Sequence, residues 1–257
     1  MPIEKRNVNH LEIACWMNKD EWAPGKKTLV FIPGSGGDHT AWVYQCNALK
    51  SLYNIAALEL PGHGNSQGPG EQNIDKYVEW VKMILPAFGI EKPVIIGHSL
   101  GAAIALTFAV KYGDLVRGIV AFGGGTRMPV NPMILDGIKK DPDAVMAMTA
   151  KFSVAKKNRE RLAKILAERK RDPDILYGDF LACDRLDLTG KIQQIQVPTL
   201  IVCGQEDKMT PPDASRALCE SIPGAELAII EEAGHMVMLE DPENFNMVLK
   251  KFVDSLS

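Results

Sequence analysis

The sequence predicts an α/β fold: a mostly parallel sheet with helices on both faces and a helical insertion late in the chain. Three observations carry that expectation. Short all-apolar runs alternate with amphipathic stretches, the pattern of strands buried on both faces by covering helices. Several runs stop at dense proline and glycine clusters, notably Pro33 to Gly37 and Pro61 to Gly64. The strand rhythm then disappears between Gly123 and Lys191.

Residues 1–17 read as an antiparallel hairpin, because Leu11, Ile13, Cys15 and Met17 recur at every second position. Thr28 to Ile32 (TLVFI) suits a buried central strand that opens into a glycine-rich loop, with a helix starting near Asp38 to Thr40. Asn54 to Leu60 is the next strand. A helix over 73–88 follows, with Asn73 or Asp75 as its cap. Pro93 to Ile96 is a strand, Ser99 to Tyr112 a helix ending at Gly113, and Leu115 to Phe122 another strand. Pro198 to Cys203 and Glu226 to Ile230 complete the set, each followed by a helix-like segment. No internal repeat is present.

At 257 residues, with 46% hydrophobic and 24% charged, the chain has the composition of one globular α/β domain carrying a sizeable core. A net charge of −3 provides no global positive field, so nucleic acid is not expected as a partner. No run approaches the roughly eighteen apolar residues of a membrane span, and residues 1–9 lack the apolar stretch of a signal peptide. A cytoplasmic protein is expected. The five cysteines are scattered with no CxxC pair, and the five histidines show no HExxH spacing, so neither a metal nor a redox dithiol is anticipated.

Within the insertion, helical periodicity is interrupted by Pro129, Pro132, Pro142 and Pro173. Residues 151–171 hold nine Lys or Arg against Glu160 and Glu168, a local charge of +7. This stretch reads as a solvated helix face with Leu162, Ile165 and Leu166 turned inward, the other reading being attraction of an anionic substrate or a membrane surface. Met128, Met133, Ile134, Leu135, Met146, Met148 and Phe152 either line a hydrophobic substrate pocket or form the insertion's own core.

Gly97-His98-Ser99-Leu100-Gly101 is a G-x-S-x-G pentapeptide placed between an apolar strand and a helix, the setting of a nucleophile elbow. A serine hydroxyl is a poor nucleophile near neutral pH, so a base must take its proton and a third group must orient that base. His235, in Ala233-Gly234-His235-Met236 beyond the last strand, is the general base. The orienting acid is Asp207, at the carboxyl end of the strand Pro198 to Cys203; spacing alone does not separate it from Glu206. His98, adjacent on the elbow, should point away from the hydroxyl and is given no chemistry. The backbone N–H of Leu100 is one donor for an oxyanion hole, and the loop Pro33 to Gly37 supplies the other, assigned to Ser35.

With these pieces in place the chain resembles the α/β-hydrolase superfamily over nearly its whole length, in particular its compact esterase, lipase and haloperoxidase-like members. The resemblance rests on FIPGSGG at 31–37, LPGHGNS at 60–66, VIIGHSLG at 94–101, PTLIVCGQED at 198–207 and AGHMVMLEDPE at 233–243. It implies an eight-stranded sheet, a core domain of residues 1–126 and 191–257, a helical cap over 127–190, and Ser99, Asp207 and His235 as a catalytic triad. His63 and Ser66 would be structural members of a turn. The family usually has His-Gly before the oxyanion residue where this chain has Pro33-Gly34, which leaves Ser35, Gly34 and Gly36 open as the second donor.

A serine at the elbow disfavours the dehalogenase and epoxide-hydrolase branches of the resemblance, which use aspartate there. The expected reaction is cleavage of a carboxylic ester through an acyl-enzyme, on a small-molecule acyl substrate and without cofactor or metal. The same three residues would also serve a carbon–carbon bond hydrolase, thioesterase, amidase or cofactor-free perhydrolase. A non-catalytic ligand receptor on the same fold is the reading from a different class.

Overall fold

The apolar runs form eight strands: β1 (Ile3–Val8), β2 (Leu11–Met17), β3 (Thr28–Ile32), β4 (Asn54–Leu58), β5 (Val94–His98), β6 (Gly118–Phe122), β7 (Thr199–Gly204) and β8 (Glu226–Ile230). The computed structural model describes residues 3–169 and 171–257; Met1 and Pro2 of the expected hairpin, and Lys170 of the basic stretch, lie outside the described residues. All eight strands join one sheet in the order β1-β2-β4-β3-β5-β6-β7-β8. β1 and β2 pair antiparallel, as do β2 and β4, and every later pairing is parallel. The reversal of strand order around β3 creates a crevice at the carboxyl ends of the central strands, where α/β sheets bind their ligands.

The helices are α1 (Val43–Leu49), α2 (Ile74–Ala87), α3 (Leu100–Tyr112), α4 (Pro132–Lys140), α5 (Pro142–Phe152), α6 (Arg159–Ala167), α7 (Pro173–Asp184), α8 (Pro212–Ser221), α9 (Val237–Glu240) and α10 (Pro242–Ser255). The cap of α2 is Asn73, whose side chain accepts from Asp75 N–H, and Asp38 caps the 3-10 turn before α1 by accepting from Thr40 N–H. α3 is buried on nearly every side from Leu100 to Ala109, which explains its alanine-rich, non-amphipathic sequence. α3 ends at Gly113 as expected, but one strand boundary moves: the chain continues through a 3-10 turn over Gly113–Leu115, so β6 starts at Gly118 rather than Leu115.

Helices α4 to α7 lie between β6 and β7. Pro132, Pro142 and Pro173 begin these helices rather than breaking them, because the first helical position needs no N–H partner. Asn131, Asp141 and Asp172 cap them. The insertion grips both faces of the sheet. Val154, Leu162 and Leu166 join the cluster of Phe31, Trp42 and Phe122 on one face, while Ala182, Cys183 and Leu186 join that of Val30, Ile95 and Leu106 on the other. Ile165, expected to point inward, is 54% exposed, because the inward stripe of α6 runs along Leu162, Ala163, Leu166 and Ala167. Met133, Met148 and Phe152 are also exposed, and Ile134 packs with Ile138, Val145 and Leu176 in a small cluster of the insertion's own. Among the described residues no helix is long and apolar enough to cross a membrane, and none of the cysteines is in a disulfide.

Candidate active site

Ser99 stands between β5 and α3 with φ +53° and ψ −112°, a conformation that costs a non-glycine residue about 1–3 kcal/mol and persists only when its surroundings enforce it. They do so by close approach. A Cβ at residue 97 would sit 2.0 Å from the Gly101 carbonyl oxygen, and one at residue 101 would sit 2.1 Å from that of Ile32. Glycine at both positions is thus a requirement of the turn. The serine backbone is held by its N–H donating to Phe122 O (2.9 Å) and its carbonyl accepting from Ala103 N–H (3.1 Å).

Asp207 follows β7 and His235 follows β8, so both meet Ser99 at the carboxyl edge of the sheet. His235 Nδ1 lies 2.9 Å from Asp207 Oδ2. Asp207 also accepts from Met209 N–H (2.8 Å), Thr210 N–H (2.9 Å) and Thr210 Oγ1 (2.7 Å). Burial pushes this carboxyl up, but the adjacent imidazole and the hydrogen bonds outweigh it and hold Asp207 below its ordinary range. An ionised acceptor at Nδ1 fixes the proton there and leaves Nε2 as the basic nitrogen. Nε2 is buried without a hydrogen-bond partner among the described residues, in a cavity whose wall also includes Ser99. Glu206, the alternative acid, instead accepts from Lys156 N–H at 3.2 Å, on the insertion side.

His98 is buried at the edge of the cavity, where it braces the His235 backbone. Its ring stacks on Phe122 at 5.0 Å, and Nε2–H donates to the His235 carbonyl at 3.0 Å. Burial first, and then the neighbouring His235, push its pKa down to about 3, so it is neutral near pH 7. In the loop after β3, Gly36 N–H is committed to Asp179 Oδ2 (2.7 Å) and Gly37 N–H to the Gly34 carbonyl (2.9 Å). Neither Ser35 nor Leu100 N–H donates to a partner among the described residues.

Two buried carboxylates of the site left no motif in the sequence. Asp179, on α7, ties Gly36 N–H to His63 Nε2 (2.8 Å) and Tyr77 OH (2.6 Å), fastening the insertion to the loop after β3. Burial lowers His63, but Asp179 outweighs it and the pKa is raised. Glu240 accepts from Gly234 N–H (2.9 Å), Met236 N–H (3.2 Å), Ala155 N–H (2.7 Å) and Asn158 Nδ2 (3.1 Å), fastening the insertion to the His235 loop. Ser66 is structural as expected, bridging Ala14 N–H and the Glu59 carbonyl. Among the described residues no cluster of His, Cys, Asp or Glu could hold a metal ion.

The alpha/beta hydrolase family pattern matches residues 29–248. The chain belongs to the α/β-hydrolase family. A similar protein of Paraburkholderia phymatum, named 2-hydroxy-6-oxononadienedioate/2-hydroxy-6-oxononatrienedioate hydrolase, is 27% identical over 253 residues, covering 89% of this chain and 88% of its own. A thermophilic esterase structure is 31% identical with a TM-score of 0.83, over 98% of this chain and 97% of that one. The enol-lactonase of Burkholderia xenovorans shares the fold at a TM-score of 0.90 with 19% identity, over 98% and 100% of the two chains. As an α/β hydrolase the protein is an enzyme of the hydrolase class.

Proposed function

We propose that the protein is a serine hydrolase that cleaves carboxylic esters through an acyl-enzyme on Ser99. The observation that carries this reading is the state of His235: Nδ1 is anchored on a depressed-pKa carboxylate while the buried Nε2 has no partner and shares a cavity with a serine on a strained elbow. Ser99 Oγ attacks the carbonyl carbon as Nε2 takes its proton. The tetrahedral oxyanion is held by Leu100 N–H and by Ser35 N–H, with Gly36 set aside because its N–H is already used by Asp179 and Gly34 N–H the remaining alternative in the loop. The alcohol leaves with the proton from His235, and water repeats the sequence to release the acid. Asp207 stays ionised throughout. Residues 127–190 act as a cap over this cavity, with residues 1–126 and 191–257 as the core domain.

A second reading keeps the same residues and cleaves a carbon–carbon bond, favoured by the name of the Paraburkholderia phymatum relative. The thermophilic esterase favours the first. A matched panel of ester, thioester, amide and vinylogous diketone substrates distinguishes them, with Ser99→Ala as the control. Ester turnover that vanishes in a folded Ser99→Ala is the expected result; ester turnover undiminished in Ser99→Ala rules out the serine mechanism.

A further inference from the structure

Most of the basic stretch in the insertion is what its composition suggests, with Lys151, Lys156, Lys157, Arg161 and Lys164 exposed to solvent. Arg169 and Arg171 are different. Both are half-buried and line the cavity that holds Ser99, Ser35 and His235. The stem of Arg171 lies over the loop after β3, close enough that a Cβ at residue 36 would meet its Cδ at 2.7 Å. Its Nη1 donates to the Leu166 and Arg169 carbonyls (3.0 and 3.1 Å), so one nitrogen closes the carboxyl end of α6. Nε is buried without a partner among the described residues.

Neither arginine is in an ion pair among the described residues, and no Asp or Glu is part of that cavity's wall. The carboxylate whose field reaches Arg171 is Asp38, and it is already occupied by Thr40 N–H and Oγ1. Burial, then Arg169, push Arg171 down to about 10, the direction expected of a cation held without a counter-charge. On the other side of Ser99 and His235 a second cavity is larger, about 290 Å³ against about 90 Å³; its wall is apolar at Met128, Pro129, Val130, Pro211 and Ala214, and its arginine, Arg127, is already paired with Asp187. The two cavities share Ser99, Ser35, His235, Phe180 and Met209, so they are two arms of one site.

We infer that Arg169 and Arg171 form a carboxylate-binding arm of the active site, so that the substrate carries an ionised carboxylate on one side of its scissile carbonyl and an apolar group on the other. This rests on the serine-hydrolase reading for the reaction but not for the binding. A guanidinium in a partly desolvated cavity matches a carboxylate through two parallel N–H donors, which a neutral chain of equal length does not offer.

The test compares kcat/KM for isosteric ester pairs, with the charge in either half: monoethyl glutarate against ethyl pentanoate, and 4-acetoxybutanoate against butyl acetate. The charged member of at least one pair is expected to be preferred by about ten- to a hundred-fold, the scale of a charge-assisted hydrogen bond. Arg171→Met and Arg169→Met should each reduce that ratio towards one. A wild-type ratio of one or less in both pairs overturns the inference, as does a preference that survives in both variants. Should either variant fold poorly, wild-type protein decides: millimolar glutarate must slow labelling of Ser99 by a fluorophosphonate, whereas pentanol must not. If Ser99 takes no label, the catalytic reading has failed, and the arginines are judged by thermal shift with glutarate. A rise in Tm lost in Arg171→Lys or Arg171→Met supports them; no rise with wild type refutes them.

Discussion

Glu240 is the test case for how the insertion and the catalytic loop are held together. Its two oxygens serve separate parts of the chain: Oε1 accepts from Gly234 and Met236 N–H, on either side of His235, and Oε2 from Ala155 N–H and Asn158 Nδ2 in the insertion. Glu240→Ala removes four hydrogen bonds at once. A buried donor left without a partner costs about 1–3 kcal/mol, and the new space admits water to some of the four. Relief of the buried carboxyl, whose pKa burial raises above its ordinary range, offsets part of the loss. The net expectation is about 2–5 kcal/mol, a Tm lower by about 5–15 °C for a chain of this size. The sign of the pH dependence follows from the raised value. The folded state binds the proton more tightly than the unfolded one, so wild-type stability relative to Glu240→Ala falls as pH climbs from the ordinary carboxyl pKa through the raised one. Ester turnover by Glu240→Ala should also drop at temperatures where it is fully folded, because Gly234 N–H beside His235 has lost its partner and Met236 N–H keeps only the Ser153 carbonyl (3.1 Å). Thermal unfolding across pH and kcat at 20 °C below the variant's Tm measure both effects. A Tm within a degree of wild type, with full turnover, would refute the clamp.

Other expectations follow from the same geometry. In Asp207→Asn the Met209 and Thr210 N–H groups hold the amide oxygen, turning the NH2 towards His235 Nδ1 and enforcing the wrong tautomer; kcat should fall by roughly 10⁴-fold. Glu206→Gln should change kcat by a few-fold at most, and the reverse pattern would move the orienting acid to Glu206. For His63, the folded pKa is raised by Asp179, so its pairing stabilises the fold fully below the unfolded histidine value and progressively less as pH rises through the raised one. Denaturant unfolding of wild type and His63→Gln should show a stability gap that is constant in mild acid and narrows in that window; a gap independent of pH argues against a charged pair.

The strands and the elbow were legible because each depends on local chemistry. TLVFI runs into Pro33, VIIGH follows Pro93 and ELAII is a short run of mostly apolar residues, and the glycines of G-x-S-x-G are dictated by a backbone approach so close that a Cβ at residue 97 or 101 would collide with the Gly101 or Ile32 carbonyl oxygen. Asp207 and His235 could be singled out as candidates because a strand ends shortly before each. Asp179 and Glu240 could not, because each is a buried carboxylate with partners in a distant segment, 143 residues away for Gly36 and, beside the nearby Gly234 and Met236, 85 for Ala155. Nothing in a helical stretch such as DILYGDFLACD distinguishes an acid facing solvent from one facing His63 and Tyr77. The basic stretch left two readings open for a related reason: charge count averages exposed lysines with the two arginines that line the cavity. Three of the insertion's four prolines read as interruptions, Pro132, Pro142 and Pro173, mark helix starts, a distinction that depends on the capping residue before each.

The most direct measurement is rapid acid quench during turnover of an activated ester, followed by peptide mapping of the protein. The acyl mass should appear on the peptide containing Ser99, accumulate within the first turnover, and be absent from Ser99→Ala. Turnover that proceeds with no acyl group on Ser99, or with the acyl group on another side chain, would contradict the mechanism.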